Sequence, residues 1–462
     1  MATKSKVPID SDRDAQFDVA FERLTQLVDL QHADRLHPVR SNAVYISSVV
    51  LWMLVYQRMS PDATLEAAVK KLIDSRPDFL PDNKRVSAGT LSSNTSTYSQ
   101  ARSRMPLSVA EWFAGQVSSS LIDATQPTFG QRRVFLFDGT TITLAPEEEL
   151  QQAFPPASNQ YGEGVWPVAL LVVAHELASG AALLPEIGAM YGPDAVSETT
   201  LVHRHLAQLP TDSVFMADAG FGTFMVARAA VEAGHAFFFR MTKQRFGALT
   251  KQAELIESGD GFRTWSHTWC PTPKVRKAHP ELPPDASLDV RLHEVVINAN
   301  LTLLLVTDLP DPAAALSELY ARRVDVEVDI RNLKVVLDAE NIRAKSVDTF
   351  HKELLGSVVS YNLVSQFRRQ AAELVSEPPR RMSFKRVWTT YRQFLLPKMY
   401  TDAASWREQY GVALSYAMLD KLPNRPGRSF DREVYPRRPK SNQFKKRKPK
   451  RKRKPKRKPK PE

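Results

Sequence analysis

LSELYARRVDVEVDIRNLKVVLD, residues 316–338, is the stretch on which the reading of this chain turns. It carries Tyr320, Arg323, Glu327 and Lys334 in the pattern Y-x2-R-x3-E-x6-K. On a helix advancing about 100° per residue, these four side chains share a stripe roughly 60° wide. One carboxylate then stands among two cations and a phenol. That combination suits a site that holds a metal ion and grips phosphate at once, because carboxylate oxygens bind Mg²⁺ while Arg and Lys neutralise phosphate oxygens. The same residues also fit a plain solvated helix face, and Val324 to Ile330 alternates as a half-buried strand does. The helix is favoured because Val324, Val328 and Val335 cluster at about 40° to 80°, and Val326, Ile330, Leu333 and Leu337 at about 220° to 280°. The polar stripe is expected to run between two buried faces.

The four-residue pattern resembles the signature of insertion-sequence family 4 transposases. The resemblance implies a DDE enzyme with an RNase H-like core, in which Glu327 is the third catalytic carboxylate and two aspartates lie upstream. Asp138 sits in RRVFLFDGTTITL, where Val134 to Phe137 reads as a buried strand ending on the acid. Asp-Gly is equally a common turn dipeptide. Asp218 sits in TDSVFMADAGFGT, where the strand Val214 to Ala217 delivers an acid to a glycine-rich turn. It is also placed to cap the helix that follows. From Asp138 to Asp218 is 80 residues, room for the hairpin and helix of such a core. From Asp218 to Glu327 is 109, more than a bare core needs, which points to an inserted subdomain of the kind this family carries. Three acids in order, in strand, strand and helix contexts, weigh more than any one of them.

Composition bounds the class of protein. A chain of 462 residues exceeds the size at which one hydrophobic core stops growing, and its 43% apolar content is enough to fold two or more domains. The single cysteine, Cys270, excludes an internal disulfide framework and a Cys-rich zinc site, and it fits a reducing compartment. The first residues lack the apolar core of a signal peptide, and the longest apolar runs are too short to span a bilayer. No membrane association is expected, and the setting is cytoplasmic and nucleoid-associated. The net charge of +12 is concentrated at one end. Between Arg437 and Lys460 stand 16 Lys and Arg, and with Glu462 the tail carries +15; subtracting this from +12 leaves −3 on the first 436 residues. A Lys-Pro-rich block of this kind cannot bury apolar surface, repels itself and attracts polyanions, most simply DNA, through counterion release.

Along the chain, residues 1–15 read as a disordered N-terminus and 16–125 as a helical DNA-binding domain. Within it Val44, Leu51, Leu54 and Val55 share a face, and Ser60-Pro61-Asp62 opens a second helix with Pro in its first turn. TSTYSQARSRMPLSVAEWFAGQ offers Tyr98, Arg102 and Arg104, a break at Pro106 and a capping box from Ser108 to Glu111. The segment resembles the N-terminal part of family members, where the two arginines would touch transposon-end DNA; they equally suit plain surface. Residues 130–244 form the first part of the catalytic core. After Asp138, VWPVALLVVAHELASGAALLPEIG reads as two strands joined near Ser179-Gly180, SETTLVHRHLAQL as a helix, TFMVARAAVEAGH as another and AFFFRMT as a strand. Arg240, closing that strand, is a candidate phosphate contact or a structural residue. His175, His203 and His205 lack metal-ligand spacing. Residues 245–315 read as a β-rich insertion, in which Trp265 and Trp269 either pack or, as in relatives, stack on a base displaced from the cleaved end. Residues 316–375 complete the core with the signature helix, 376–436 form a helical C-terminal region, and 437–462 a disordered basic tail.

The expected fold class is therefore α/β, an RNase H-like mixed sheet with a β-rich insertion flanked by helical parts. The expected function is cleavage of DNA at transposon ends and strand transfer. Asp138, Asp218 and Glu327 would hold two Mg²⁺ ions about 4 Å apart, with Mn²⁺ able to substitute, one activating the nucleophile and one stabilising the leaving oxygen. Tyr320, Arg323, Lys334 and Arg240 would contact the DNA. The partner is double-stranded DNA, transposon ends and target alike, bound by a homodimer or larger assembly. A nuclease that cuts without joining and an inactive DNA-binding relative are the rival readings.

Overall fold

Val134 to Phe137, Val168 to Ala174, Val214 to Ala217 and Phe237 to Phe239 are unbroken or nearly unbroken apolar runs, the pattern of strands buried on both faces. In a computed structural model, which describes residues 28–75, 80–159, 162–398 and 403–423, these runs lie at the centre of one sheet. Its strands are β1 (Val134–Thr143), β2 (Pro156–Asn159), β3 (Gly162–Glu176), β4 (Glu186–Ala189), β5 (Val214–Ala217), β6 (Ala236–Arg240), β7 (Glu254–Gly259), β8 (Phe262–Trp269), β9 (Leu288–Asn298) and β10 (Leu301–Thr307). The order is β2-β3-β1-β5-β6-β10-β9-β8-β7, with β4 beside β3. β1, β5 and β6 are parallel and the other pairings antiparallel, which makes this the mixed α/β sheet of an RNase H-like fold.

Helices α1 (Leu30–Leu36), α2 (Ser47–Met59), α3 (Leu65–Ser75), α4 (Ser96–Arg104) and α5 (Leu107–Asp123) precede the sheet. α6 (Glu198–Leu206) and α7 (Phe224–Glu232) cover one face, where they meet Phe135, Phe137 and Phe215. α8 (Ala313–Ala321) and α9 (Val324–Arg331) cover the other, against Val134, Leu136 and Met216. The period-two alternation of β1 places Asp138 on this second face and Gly139 on the first. α10 (Val347–Glu373), α11 (Phe384–Thr390) and α12 (Ala403–Ala417) complete the described chain. Strands β7 to β10 extend the central sheet through the pairing of β10 with β6. Trp269 is buried there with its ring edge-on to Phe224, and Trp265 packs on Phe246, so both indoles serve packing.

Several local expectations need correction. β1 does not end at Asp138 but runs to Thr143, paired with β3 throughout, so Asp138-Gly139 is not a turn. The second N-terminal helix starts at Leu65 rather than Pro61, after Ala63 at φ 48° and a hydrogen bond from Ala67 N to Thr64 Oγ1. Ser108 and Glu111 form no capping box, because Pro106 already stands at the N-cap and the helix begins at Leu107. Tyr98 and Arg102 are buried, and Arg102 pairs with Glu353 of α10 at 2.7 Å, which removes it from any DNA contact; Arg104 is exposed. The N-terminus before residue 28 and the basic tail lie outside the described residues. Among the described residues no helix is long and apolar enough to cross a membrane.

One half-buried acid at the sheet makes a testable point about pH. Asp308, just past β10, accepts a hydrogen bond from Phe237 N at 2.9 Å, yet burial pushes its carboxyl up to about 6. An unfolded Asp titrates near about 3.9, so the folded chain holds this proton more tightly and its stability falls as pH rises from about 4 to 6. Asp308→Asn is expected to add about 2 kcal/mol at pH 8 and little at pH 4. Urea midpoints at the two pH values check this; an equal gain at both would remove charge as the cause.

Candidate active site

The parallel pairing of β1 with β5, in register from Val134↔Val214 to Leu136↔Met216, brings the ends of two apolar runs side by side. Asp138 follows the first run and Asp218 the second, and alternation points both toward α8 and α9. Asp138 Oδ1 accepts from Gly139 N at 3.0 Å. Asp218 ends its strand in a tight turn, its Oδ1 accepting from Gly220 N at 2.8 Å. It does not cap the next helix, whose N-cap is Thr223. Arg245 fixes this turn by donating to the carbonyls of Ala219 at 2.9 Å and Gly222 at 3.2 Å.

The signature segment is helical, but not as one uniform rod. α8 closes at Ala321, hydrogen bonds of three-residue span carry the chain through Arg322 and Arg323, α9 follows, and a π-helical turn spans Asn332–Val336. One of its two expected apolar faces is buried: Val326, Leu333 and Leu337 are in the interior and Ile330 is partly so. The other is not. Val324, Val328 and Val335 are 54%, 50% and 56% exposed. The break at Arg322–Arg323 and the wide π turn depart from the uniform 100° step, and α9 lies on the outside of the sheet with one flank left to solvent.

Arg323 gathers the acids. Its Nη2 lies 3.1 Å from Asp138 Oδ2 and 3.8 Å from Asp218 Oδ2, and its Nη1 lies 2.6 Å from Glu327 Oε1. Three carboxylates separated by 80 and 109 residues in the chain thus converge on one guanidinium. Burial holds the Asp138 carboxyl above its ordinary range; Arg323 pulls it down, and the charges of Asp218 and Glu327 push it up again. The described residues contain no group of three His, Cys, Asp or Glu side chains assembled for a metal ion; the guanidinium stands among the three acids instead. The family model described as Transposase DDE domain matches residues 129–363, just over half of the chain, and this span contains all three acids. The chain belongs to the DDE transposase family. A comparison with curated proteins gives no match. As a member of this family the transposase acts on DNA, and enzymes of the family generally use divalent metal ions.

The other residues of the four-residue pattern, with Arg240, surround the same point in this transposase. Lys334 Nζ donates to Thr140 Oγ1 at 3.0 Å and Thr141 O at 2.8 Å, contacts that exist because β1 continues past Asp138. The Tyr320 ring is buried edge-on against Phe238, and its hydroxyl, pushed up to about 12 chiefly by burial, also feels the charges of Arg323, Arg240 and Asp218. Arg240 is exposed at the end of β6 and makes no ion pair among the described residues. Below the site, Asp329 is fully buried and joins Arg380 at 2.7 Å and the Tyr361 hydroxyl at 3.0 Å. Reading the sequence did not single out Arg245 or Asp329. Arg245 carries no local pattern, whereas Asp329, an acid two residues past Glu327 on the helix flank that turns inward, offered a signal in its position.

Proposed function

We propose that this DDE transposase is of the insertion-sequence family 4 type and cuts DNA at the ends of its element and joins them to new DNA. Asp138, Asp218 and Glu327 are its catalytic carboxylates, and Tyr320, Arg323, Glu327 and Lys334 its signature. The observation that carries this reading is the approach of all three acids to the one guanidinium of Arg323, at 3.1, 3.8 and 2.6 Å. The donor set fits divalent metal: all three side chains offer hard oxygen, and they already surround a positive charge. When bound, a pair of Mg²⁺ ions, or Mn²⁺ in their place, would activate water or a DNA 3′-hydroxyl and stabilise the leaving oxygen. Asp138, Asp218 and Glu327 would hold them.

In this reading Arg323 is a resident counter-charge that keeps the acids together and, where metal ions took that role, would be free to meet a DNA phosphate. Lys334 and Arg240 flank the same edge with charges that suit phosphate, and the Tyr320 hydroxyl borders it. Arg323→Ala is expected to strengthen Mn²⁺ binding without DNA several-fold, because one competing cation is gone, and to lower cleavage. Calorimetric titration with Mn²⁺ checks the first part; weaker binding in the variant would show that Arg323 organises the ligands rather than competes with the ion.

The flanking parts receive their roles in the same proposal. The helical domain 16–125 binds DNA: Arg40, Lys84, Arg85 and Arg104 line a cavity of about 930 Å³ on it and make no ion pair among the described residues. Residues 130–244 and 316–375 form the catalytic core, 245–315 the insertion, and 376–436 a helical region for DNA or subunit contacts. The tail 437–462 adds salt-sensitive, sequence-independent attraction to DNA in a cytoplasmic, nucleoid-associated setting. A homodimer or larger assembly bridges two ends. The deciding experiment is Mg²⁺-dependent cleavage and joining of DNA carrying the flanking ends of its own gene, with wild type beside Asp218→Ala at fixed salt. Cleavage and joining by wild type alone, with equal DNA binding, is the expected result. Cleavage without joining would make the protein a nuclease, and inactivity of both a DNA-binding relative.

A further inference from the structure

A fourth carboxylate approaches the site from the opposite face of the sheet. Glu198 is the first residue of α6, which packs through Leu201 and Val202 on the Phe135 and Phe137 side, whereas Arg323 and Glu327 come from the α9 side. A Cβ built on Gly139 would fall 2.0 Å from Glu198 Oε1 and 2.4 Å from its Cδ, so this carboxylate lies directly against the backbone next to Asp138. Gly139 has no positive φ, and its strand conformation is open to any residue. What a side chain at this position would meet is the carboxylate, which would have to shift to make room. The pairing of β1 with β5 stops at Leu136↔Met216, so no β5 partner stands beside Gly139 to close that edge.

An acid in the first turn of a helix has an ordinary explanation, since it complements the helix dipole. That accounts for Glu198 at its position in α6 but not for where the carboxylate lies. Ser197 already caps the helix by accepting from Thr200 N, and Glu198 makes no hydrogen bond or ion pair with any described residue. Its surroundings are acidic: after desolvation, the charges of Asp138 and then Asp218 raise its carboxyl above the ordinary range. A carboxylate held beside two others with no cation of its own has a reason to be there if a cation joins them.

We infer that Glu198 is a fourth oxygen ligand of the divalent-metal site, closing it from the face opposite Arg323 beside Asp138 and Asp218. The inference rests on the three-acid reading above and adds a residue to it. Gly139 is its positioning partner, because any side chain there displaces the Glu198 carboxylate, the mobile end of a flexible chain, while leaving every acid in the sequence.

The test measures metal binding apart from catalysis. Mn²⁺ is titrated, with free ion followed by electron paramagnetic resonance, into the full-length protein carrying Arg323→Ala, so that the guanidinium does not compete. Asp218→Asn, Glu198→Gln and Gly139→Ala are then each added to that background. Both Glu198→Gln and Gly139→Ala are expected to weaken Mn²⁺ by about tenfold or more, the scale lost when one partner of a metal site is removed. Exposed Glu198 leaves the fold intact when neutralised. If Asp218→Asn weakens binding while either Glu198→Gln or Gly139→Ala keeps the parental affinity, the role of Glu198 is overturned and the three-acid site stands. If only wild type takes Mn²⁺, Arg323 organises the ligands and the three substitutions are read in wild type by the same criteria; if neither wild type nor the parent takes Mn²⁺, or Asp218→Asn changes nothing, the three-acid reading fails and this inference with it.

Discussion

Asp138→Asn is expected to lower Mg²⁺-dependent cleavage by on the order of a thousandfold while leaving the fold at least as stable as wild type. The first half follows from chemistry: a neutral amide is a poor ligand for Mg²⁺, and losing several kcal/mol of charge stabilisation in the transition state lowers the rate by about three powers of ten. The second half follows from where the carboxylate stands. Burial, then the like charges of Asp218 and Glu327, hold its carboxyl above the ordinary range, with Arg323 only partly offsetting them. The fold therefore tolerates this charge rather than depending on it, and Asn keeps an oxygen to accept from Gly139 N. A residue that is stability-neutral yet indispensable is serving function. Single-turnover cleavage together with a urea midpoint separates the cases: activity within tenfold of wild type would remove Asp138 from the catalytic set, and a large loss of stability would make it a structural acid.

Parts of this arrangement were legible in the sequence because they depend on local physics. Apolar runs such as Val214 to Ala217 are short and bounded by turn residues, which favours buried strands, and the acids at Asp138 and Asp218 follow from where two such runs stop or pass the core. The spacing of Tyr320, Arg323, Glu327 and Lys334 placed them on one side even though the helix breaks at Arg322 and widens at Asn332: Arg323 and Glu327 meet by Asp138, and Lys334 reaches Thr140 on the same strand. What was not legible depends on partners distant in sequence. Arg102 looked like a surface arginine, but Glu353, 251 residues away, buries it. Val324, Val328 and Val335 looked like core, yet whether a face is covered depends on what packs there and not on its own residues. Gly139 looked like half of a turn dipeptide; it lies inside a strand, with the Glu198 carboxylate from a helix of the other face against it.

Asp329→Ala is expected to destabilise the protein by about 3–5 kcal/mol, the scale for breaking a buried charge pair by removing one partner. Asp329 is fully buried beneath the signature helix. Burial alone would raise its carboxyl, but Arg380, His175 and Arg368 reverse this and hold it below the ordinary range. Without it Arg380 keeps Asp325 at 3.7 Å and the carbonyls of Leu177 and Glu176, while the Tyr361 hydroxyl, buried, loses its acceptor at 3.0 Å. Asp329→Asn retains that acceptor and should cost less, which separates the hydrogen bond from the charge. The consequence reaches the site because Asp329 is two residues from Glu327 on α9, and α9 sets where Arg323 and Glu327 meet Asp138. Cleavage should therefore fall in the surviving folded fraction while DNA binding changes little. Urea unfolding of the two variants, with cleavage measured at a temperature where both are folded, decides the matter. A loss below about 1 kcal/mol in Asp329→Ala would mean that water replaces the carboxylate at little expense, and that the signature helix is held by its apolar face, Val326 and Leu333, rather than by this pair.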